Sequence, residues 1–510
     1  MIRQSPHAVA RRLRAAETAR VALLIAIAAC SDQPASPRNP PAILSVAVEA
    51  NLNNSLSAVV RFTSRDGDSA RVLYRKAEQV LGSPRYPLMT PYYPISGDSG
   101  TVVVLGLRPD AQIELVVEVR SALSATSTSF VYRSGALPPA LVGLHLDASS
   151  LPIPGFTLTD FTGGGSAFLV AFDQAGDVTW YREFAAAAGE AALDAEQQPN
   201  GNFTLFVGAS TGWQAASGKF YEVTPAGQIV RTYATNSTYY TDPHELLLNF
   251  SGGLVSQVNL LGYDLRRMDL TSFGGRPEQL VAGHVLVRQS PSGAVEFLWN
   301  AWDHFTLEDW IFIPPNIRQM PSIDFDHPNS IATDAQGNYI VSFASLGVIA
   351  KIDGRTGDVL WRLGGKRNDF TFLGDPLGGF GIQHDARLLP NGDILFFDNG
   401  TGHSPPESRA VEYRIDPVNR TATMVWEYRH EPAVFAPFAG SVQRLGNGNT
   451  VVSFGAKPNV VEVAQNGSVV WEGEVTQNGR PVTFFYRTVR IGSLYSSDGG
   501  TTSSSIAASQ

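Results

Sequence analysis

Three histidines stand at matching places in this chain. His244 lies nine residues before Gly253, His327 ten before Gly337 and His384 eight before Gly392, each glycine lying in an apolar strand–turn–strand stretch. The other six, His7, His145, His284, His304, His403 and His430, share no such register. An imidazole titrates near neutrality, so it can serve as nucleophile, proton carrier or metal ligand. The three could be structural histidines that bind turns. Their surroundings, Asp242-Pro243-His244-Glu245, Asp326-His327-Pro328-Asn329-Ser330-Ile331 and Gln383-His384-Asp385-Ala386-Arg387, differ too much for a repeat motif. They could hold a zinc ion with one open position, although the helical His spacing of common zinc enzymes is missing. Or one neutral imidazole could attack while a second gives a proton to the leaving group.

The elements that must position them repeat from about residue 140 onward. One half of the repeat is a strand, a glycine turn and a strand often carrying Trp, as in Phe172-Asp173-Gln174-Ala175-Gly176-Asp177-Val178-Thr179-Trp180 and the stretch Lys351 to Trp361. Further copies turn at Gly227, Gly293 and Gly467, and Arg414-Ile415-Asp416-Pro417, leading to Trp426, is a sixth without the glycine. The other half is an apolar hairpin centred on Gly201, Gly253, Gly337, Gly392 or Gly448. These are spaced by 52, 84, 55 and 56 residues, the long interval marking an insertion between about 260 and 320. Two hairpins in a period of about 50 to 60 residues describe a four-stranded propeller blade. Six copies predict a six-bladed β-propeller over 140–495, with the repeated Trp and Gly as architecture. In such a ring, equivalent histidines face one another across the channel. Trp299, Trp302, Phe305, Trp310 and Phe312 in the insertion either wall an aromatic pocket or pack against the preceding domain.

Residues 42–138 predict a separate β-sandwich of the fibronectin III or immunoglobulin type, from short β-rich runs divided by turn signals. Leu107-Arg108-Pro109-Asp110-Ala111 looks like the corner of a fibronectin-type III domain. The unit carries no evident chemistry and reads as a spacer or a lid. The fold class is therefore all-β, and composition agrees. Of 510 residues 80 are Gly or Pro, above the roughly 12% of average usage, and charged residues are 17% against roughly 25%. A net charge of -9 leaves no electrostatic footprint for nucleic acid.

The first thirty residues read as an address. Arg3, Arg11, Arg12, Arg14 and Arg20 precede the apolar run Val21 to Ala29, too short for the about 20 residues of a membrane span but fitting a signal peptide. The run ends Ile27-Ala28-Ala29-Cys30, and Cys30 is the only cysteine. This resembles the lipobox of bacterial lipoproteins, with Cys30 lipidated. Residues 31–41 then form a tether and 496–510 a disordered tail. The expected location is the bacterial cell envelope, periplasmic or at the outer-membrane face, with membrane contact by the lipid anchor only.

From Asp326 to Gly365, and again from Phe380 to Asn399, the sequence resembles bacterial arylsulfotransferases, the aryl-sulfate sulfotransferases that use no nucleotide donor. The stretches carrying this are His327-Pro328-Asn329-Ser330-Ile331, Trp361-Arg362-Leu363-Gly364-Gly365, Gln383-His384-Asp385-Ala386-Arg387, Phe397-Asp398-Asn399-Gly400, Ser408 to Tyr413, Ser441 to Leu445, and Tyr486-Arg487 with Ser493-Leu494-Tyr495. The resemblance implies a six-bladed propeller behind a β-sandwich. It implies ping-pong transfer of a sulfuryl group from an aryl sulfate to a phenol through a sulfohistidine, without cofactor or metal. By motif match His384 is the nucleophile, His327 and Asn329 contact the sulfate and leaving oxygen, and His244 is a further channel histidine.

One position departs from the pattern. The family usually places an arginine about seven residues before the Lys351-Ile352 pair, and here Ala344 stands there. Its guanidinium would have held the sulfate oxygens by paired charge-assisted bonds. Arg387 is a candidate substitute, and equally a surface or interblade residue. Two rivals remain in view. One is a non-catalytic envelope lipoprotein whose propeller binds a ligand or scaffolds an assembly. The other is a quinone-cofactor dehydrogenase, which the six repeats and single cysteine oppose. Whether two copies pair as a homodimer stays open.

Overall fold

Tight turns at left-handed glycines set the repeat. In the computed structural model Gly201, Gly253, Gly337, Gly392 and Gly448 all have φ between +78° and +87°, a region that costs other residues roughly 1–2 kcal/mol. The sixth copy of the Trp-bearing hairpin, Arg414 to Trp426, lacks the glycine and places Arg420 at φ +54° instead. The structure describes residues 40–76, 88–121, 125–149, 154–209, 218–235 and 238–495. Cys30, the expected signal and most of the tether, and the expected tail 496–510 lie outside the described residues.

The described chain is all-β, with only single 3-10 turns and no α-helix among the described residues. Ala42–Ala50, Ala58–Arg65 and Ser99–Val104 form one sheet, and Ser69–Lys76, Gln112–Arg120 and Ala125–Arg133 are the main strands of another. The two share a core that includes Val60, Phe62, Val72, Val102, Leu115 and Val117. Alternate burial along Ala58–Arg65 shows the period-two pattern of a half-buried strand. This unit is fastened to the larger repeat region: the Leu105 N–H donates to the Tyr495 hydroxyl at 2.9 Å, and Arg108 pairs with Asp173 at 2.5 Å and with Asp177.

Six further sheets succeed it in chain order, antiparallel apart from the parallel pairing of Ser322–Asp324 with Gln279–Gln289 and of Thr371–Leu373 with Thr421–Arg429. The second to sixth begin with the edge strands Glu190–Gln197, Tyr240–Ser251, Pro328–Thr333, Gln383–Leu388 and Ser441–Arg444. The first is built from Phe156–Gly163, Ser166–Phe172 and Val178–Ala185, and its edge strand is Thr488–Ile491 from the far end of the chain. That explains why only five copies of the apolar hairpin exist in sequence: the sixth joins strands distant along the chain. The six edge strands neighbour one another in order, and the sixth returns to the first.

The cores repeat the same cycle. Trp180 and Phe203 pack between the first and second sheets, Phe220 and Leu260 between the second and third, and Leu286 and Phe343 between the third and fourth. Leu363 and Phe396 lie between the fourth and fifth, Phe397 and Val461 between the fifth and sixth, and Val451 and Phe168 between the sixth and first. The recurrent Trp is a staple. Trp180, Trp299 and Trp426 donate their indole N–H to turn carbonyls of the next sheet, Pro225, Gly357 and Gln465, at 2.8–3.1 Å. In the insertion, Trp299, Phe305 and Trp310 are buried in the core between the third and fourth sheets, while Phe312 is exposed.

Candidate active site

Each of the three register histidines is held at Nδ1 by a side-chain oxygen. In the third sheet's edge strand, the ladder is broken between Thr241 and Leu246, and His244 sits in that bulge. Asp242 Oδ1 accepts from both the backbone N–H and the ring Nδ1 of His244 at 2.9 Å. His327, just ahead of Pro328–Thr333, has φ +45°. Asp324 holds its N–H at 3.2 Å and its Nδ1 at 2.6 Å. His384, in the fifth sheet's edge strand, places Nδ1 2.7 Å from Asn399 Oδ1.

The three rings meet. The centroids of His244 and His327 are 4.6 Å apart and those of His327 and His384 5.8 Å apart, both edge-to-face. Tyr486 closes the row with its ring 5.5 Å from His244, and its hydroxyl points at the carbonyls of His244 and Asn329. With every Nδ1 engaged, Nε2 is the nitrogen left for chemistry on each ring.

Charge then separates the rings. The Asn399 amide donates to the carbonyls of Ala436 and Ala439 at 2.8 and 2.9 Å, which turns its oxygen toward His384. The His384 Nδ1 must therefore carry the proton, and Nε2 the lone pair. Burial, reinforced by the charge of His327, pushes the His384 imidazole well below the ordinary histidine range, against the opposing pull of Asn399. For His327 burial acts in the same downward direction, but the charge and hydrogen bond of Asp324 outweigh it and the net shift is upward. Adjacent groups driven apart in this way are the signature of a base or nucleophile beside an acid.

The remaining sequence candidates are placed differently. Asn329 is buried and donates to the Gln383 carbonyl at 2.7 Å while accepting from the Asp385 N–H at 3.3 Å. With Ser330, which accepts from the Ala386 N–H, it stitches the fourth sheet to the strand that carries His384. Arg387 turns into a buried cluster, with Asp385 at 2.5 Å, Glu245 at 3.2 Å and Glu196 at 3.3 Å. Arg487 joins it, pairing with Asp194, Glu196, Glu245 and Asp385. Both guanidiniums are spent on carboxylates. Ala344 has only its backbone to offer: its N–H donates to the His327 carbonyl at 2.9 Å, and its own carbonyl accepts from the Gly347 N–H at 2.9 Å.

Sequence reasoning missed Asp242, Asp324, Asn399, Tyr486 and Arg487 as working parts, although an aspartate two or three positions before two of the histidines was a usable signal. Asp194, Glu196 and Glu245 converge, as do His284, Asp324 and Asp326. Neither group is assigned a metal: guanidiniums occupy the first, and a 2.5 Å hydrogen bond joins His284 to Asp326 in the second.

The family model for the arylsulfotransferases (ASST) matches residues 212–479, more than half of the chain. The chain belongs to the arylsulfotransferase (ASST) family. Its match to the arylsulfate sulfotransferase AssT of Escherichia coli O6:H1 is 27% identical over 179 residues, 28% of this chain and 30% of that one. To the AssT of Lelliottia amnigena it is 32% identical over 93 residues, 16% of each. The matched stretch thus spans less than a third of either relative. Among solved structures, a Bacteroides caccae protein of unknown function aligns with 66% of this chain and 98% of its own, at 14% identity and a TM-score of 0.41. A streptogramin B lyase aligns with 66% and 90%, at 11% identity and a TM-score of 0.36. His244, His284, His327 and His384 all fall inside residues 212–479.

Proposed function

We propose that this chain is an aryl-sulfate sulfotransferase that works through a sulfohistidine at His384, on a six-bladed propeller preceded by a β-sandwich. The observation that carries the reading is the pinned Asn399 amide, which commits the His384 Nδ1 proton and leaves Nε2 as a lone pair. In the first half-reaction the His384 Nε2 attacks the sulfur of the donor ester. The N–S bond forms, the S–O bond to the aryl group breaks, and His327 gives its proton to the departing phenolate. In the second half-reaction an acceptor phenol loses its proton to His327 and attacks the same sulfur, and the N–S bond breaks. Charge gathers on the peripheral and leaving oxygens in both steps, so fixed donors there lower the barrier.

Ala344 supplies no guanidinium, and Arg387 and Arg487 are neutralised by carboxylates. The charge facing the sulfate is then the imidazolium of His327, with His244 beside it. Those same two facts are what favour the second reading, a propeller that binds an anion without turnover. Incubation with a chromogenic aryl sulfate and excess phenol decides between them. Sulfated acceptor from the wild type and none from His384→Ala supports transfer, whereas a folded wild type silent with several donors supports the binding reading.

We also propose that the chain is exported and lipid-anchored through Cys30, on the strength of Ile27-Ala28-Ala29-Cys30 and the absence of a second cysteine. No helix among the described residues is long and apolar enough to cross a membrane. Radiolabelled fatty acid incorporated in a bacterial host, and lost in Cys30→Ala, is the expected result.

A further inference from the structure

His284 stands outside the register of the other three histidines and does not reach the ring row itself, yet it touches the supports of two of them. It lies in the third strand of the third sheet, buried, with the ring of Tyr263 4.6 Å away. Its Nδ1 is 2.5 Å from Asp326 Oδ1, and its backbone N–H donates to Asp326 Oδ2 at 3.2 Å. On the other side its Nε2 makes an ion-pair contact of 3.3 Å with Asp242 Oδ2. Neither that nitrogen nor that oxygen has a well-aligned hydrogen-bond partner elsewhere. Asp324, which holds His327, lies 3.9 Å from the His284 Nδ1.

Both ring nitrogens of His284 therefore face carboxylates. A neutral imidazole has one N–H and one lone pair, and in either tautomer a lone pair would confront a buried anion. With both carboxylates ionised, only the imidazolium satisfies both sides. Burial opposes that charge, but Asp326, Asp242 and Asp324 outweigh it. The titratable groups facing His284 are these three aspartates together with His244 and His327 beyond them.

We propose that His284 is a positioning residue of the transfer reaction: through Asp242 it fixes the ring of His244, and through Asp324 it sets the charge balance at His327. The proposal rests on the sulfotransferase reading for its kinetic consequences. Its structural content, a permanent imidazolium linking the two aspartates, stands apart from that reading.

The test is His284→Gln in the full chain, read by the pH dependence of aryl sulfate turnover and by titration of the 15N-labelled histidine rings. Loss of order in His244 should lower kcat/KM by about ten- to a hundredfold, with little change in KM. Removing a positive charge beside His327 should move its titration, and the alkaline limb of the rate profile, upward by about half a unit or more. A merely structural role would lower activity or stability without that upward shift. A folded variant with unmoved ring titrations and an unmoved limb overturns the proposal. If the wild type shows no turnover, the sulfotransferase reading falls, and the ring titrations alone decide for or against His284. If His284→Gln does not fold, the wild-type spectrum decides, because one ring must keep both nitrogens protonated well above the ordinary histidine range. Absence of such a ring overturns the proposal.

Discussion

Asn399 and Asp324 offer an oxygen to an imidazole Nδ1 at nearly the same distance, 2.7 and 2.6 Å, but only one of them carries a charge. The amide leaves burial in control of His384, and the carboxylate overrules burial at His327. The proposed transfer needs His384 neutral and His327 protonated. The rate profile should therefore be a bell whose acid limb lies below the ordinary histidine value of about 6.5 and whose alkaline limb lies above it. Exchanging the partners should narrow the bell from both sides. Asn399→Asp puts a carboxylate on His384, raises its titration and moves the acid limb up by about one unit or more. Asp324→Asn removes the charge that keeps the proton on His327 and moves the alkaline limb down. Profiles of kcat/KM against pH for the two variants read this directly, and limbs that stay put would contradict the assignment. At this scale the sequence was only half informative. The three register histidines were visible because each stands eight to ten residues before a turn glycine. His284 was not, because it lies on a third strand, and its role depends on aspartates before two other histidines.

Among the elements, the hairpin turns and the strand bulges hold the site, and each makes its own demand on the chain. Gly392 has φ +87° with open space around it, so Gly392→Ala should cost only the backbone strain, about 1–2 kcal/mol. Arg420 already bears that strain at the one turn without glycine. Arg420→Gly should leave the thermal midpoint unchanged or raise it, since the relief is offset by about 0.4–1 kcal/mol of added unfolded-state entropy. A marked fall would show that its exposed contact with Asp369 matters more than the turn. The bulge at His384 is more demanding. Asp385, at φ +57°, accepts from the Val442 N–H at 2.7 Å and faces both Arg387 and Arg487. Asp385→Ala should destabilise by about 3–5 kcal/mol, because it strands buried charge, whereas Asp385→Asn keeps an acceptor and should cost less. Thermal or denaturant midpoints check both. Turn glycines could be read from sequence because only glycine adopts those conformations freely. The bulges could not, since Asp194 and Asp385 give no local sign of a left-handed backbone, and the fate of Arg387 depends on Glu196 and Glu245 in other sheets.

For the whole molecule, closure comes from the last strand. Thr488–Ile491 completes the first sheet, and the two residues before it place Tyr486 against His244 and Arg487 among four carboxylates. Fold and site are thus closed by one short segment. Arg487→Met should be strongly destabilising, by at least about 3 kcal/mol, and should lower activity with it, because the cluster includes Glu245 directly after His244. Equal stability of the variant would contradict the closure argument. The all-β class and the repeat were legible because glycine turns and Trp staples recur at near-regular spacing. What joins the ends was less so, since the strand that closes the first sheet carries no glycine hairpin to mark it.

The central claim is that a sulfuryl group rests on His384 between donor and acceptor. The measurement that tests it most directly is a single turnover with a 35S-labelled aryl sulfate and no acceptor, followed by rapid quenching in base and mapping of the labelled peptide. Transfer through His384 predicts about one acid-labile label per active chain, carried by the peptide containing His384, absent in His384→Ala and discharged when phenol is added. Release of the donor's phenol without label on the protein, or label that persists in His384→Ala, would contradict it.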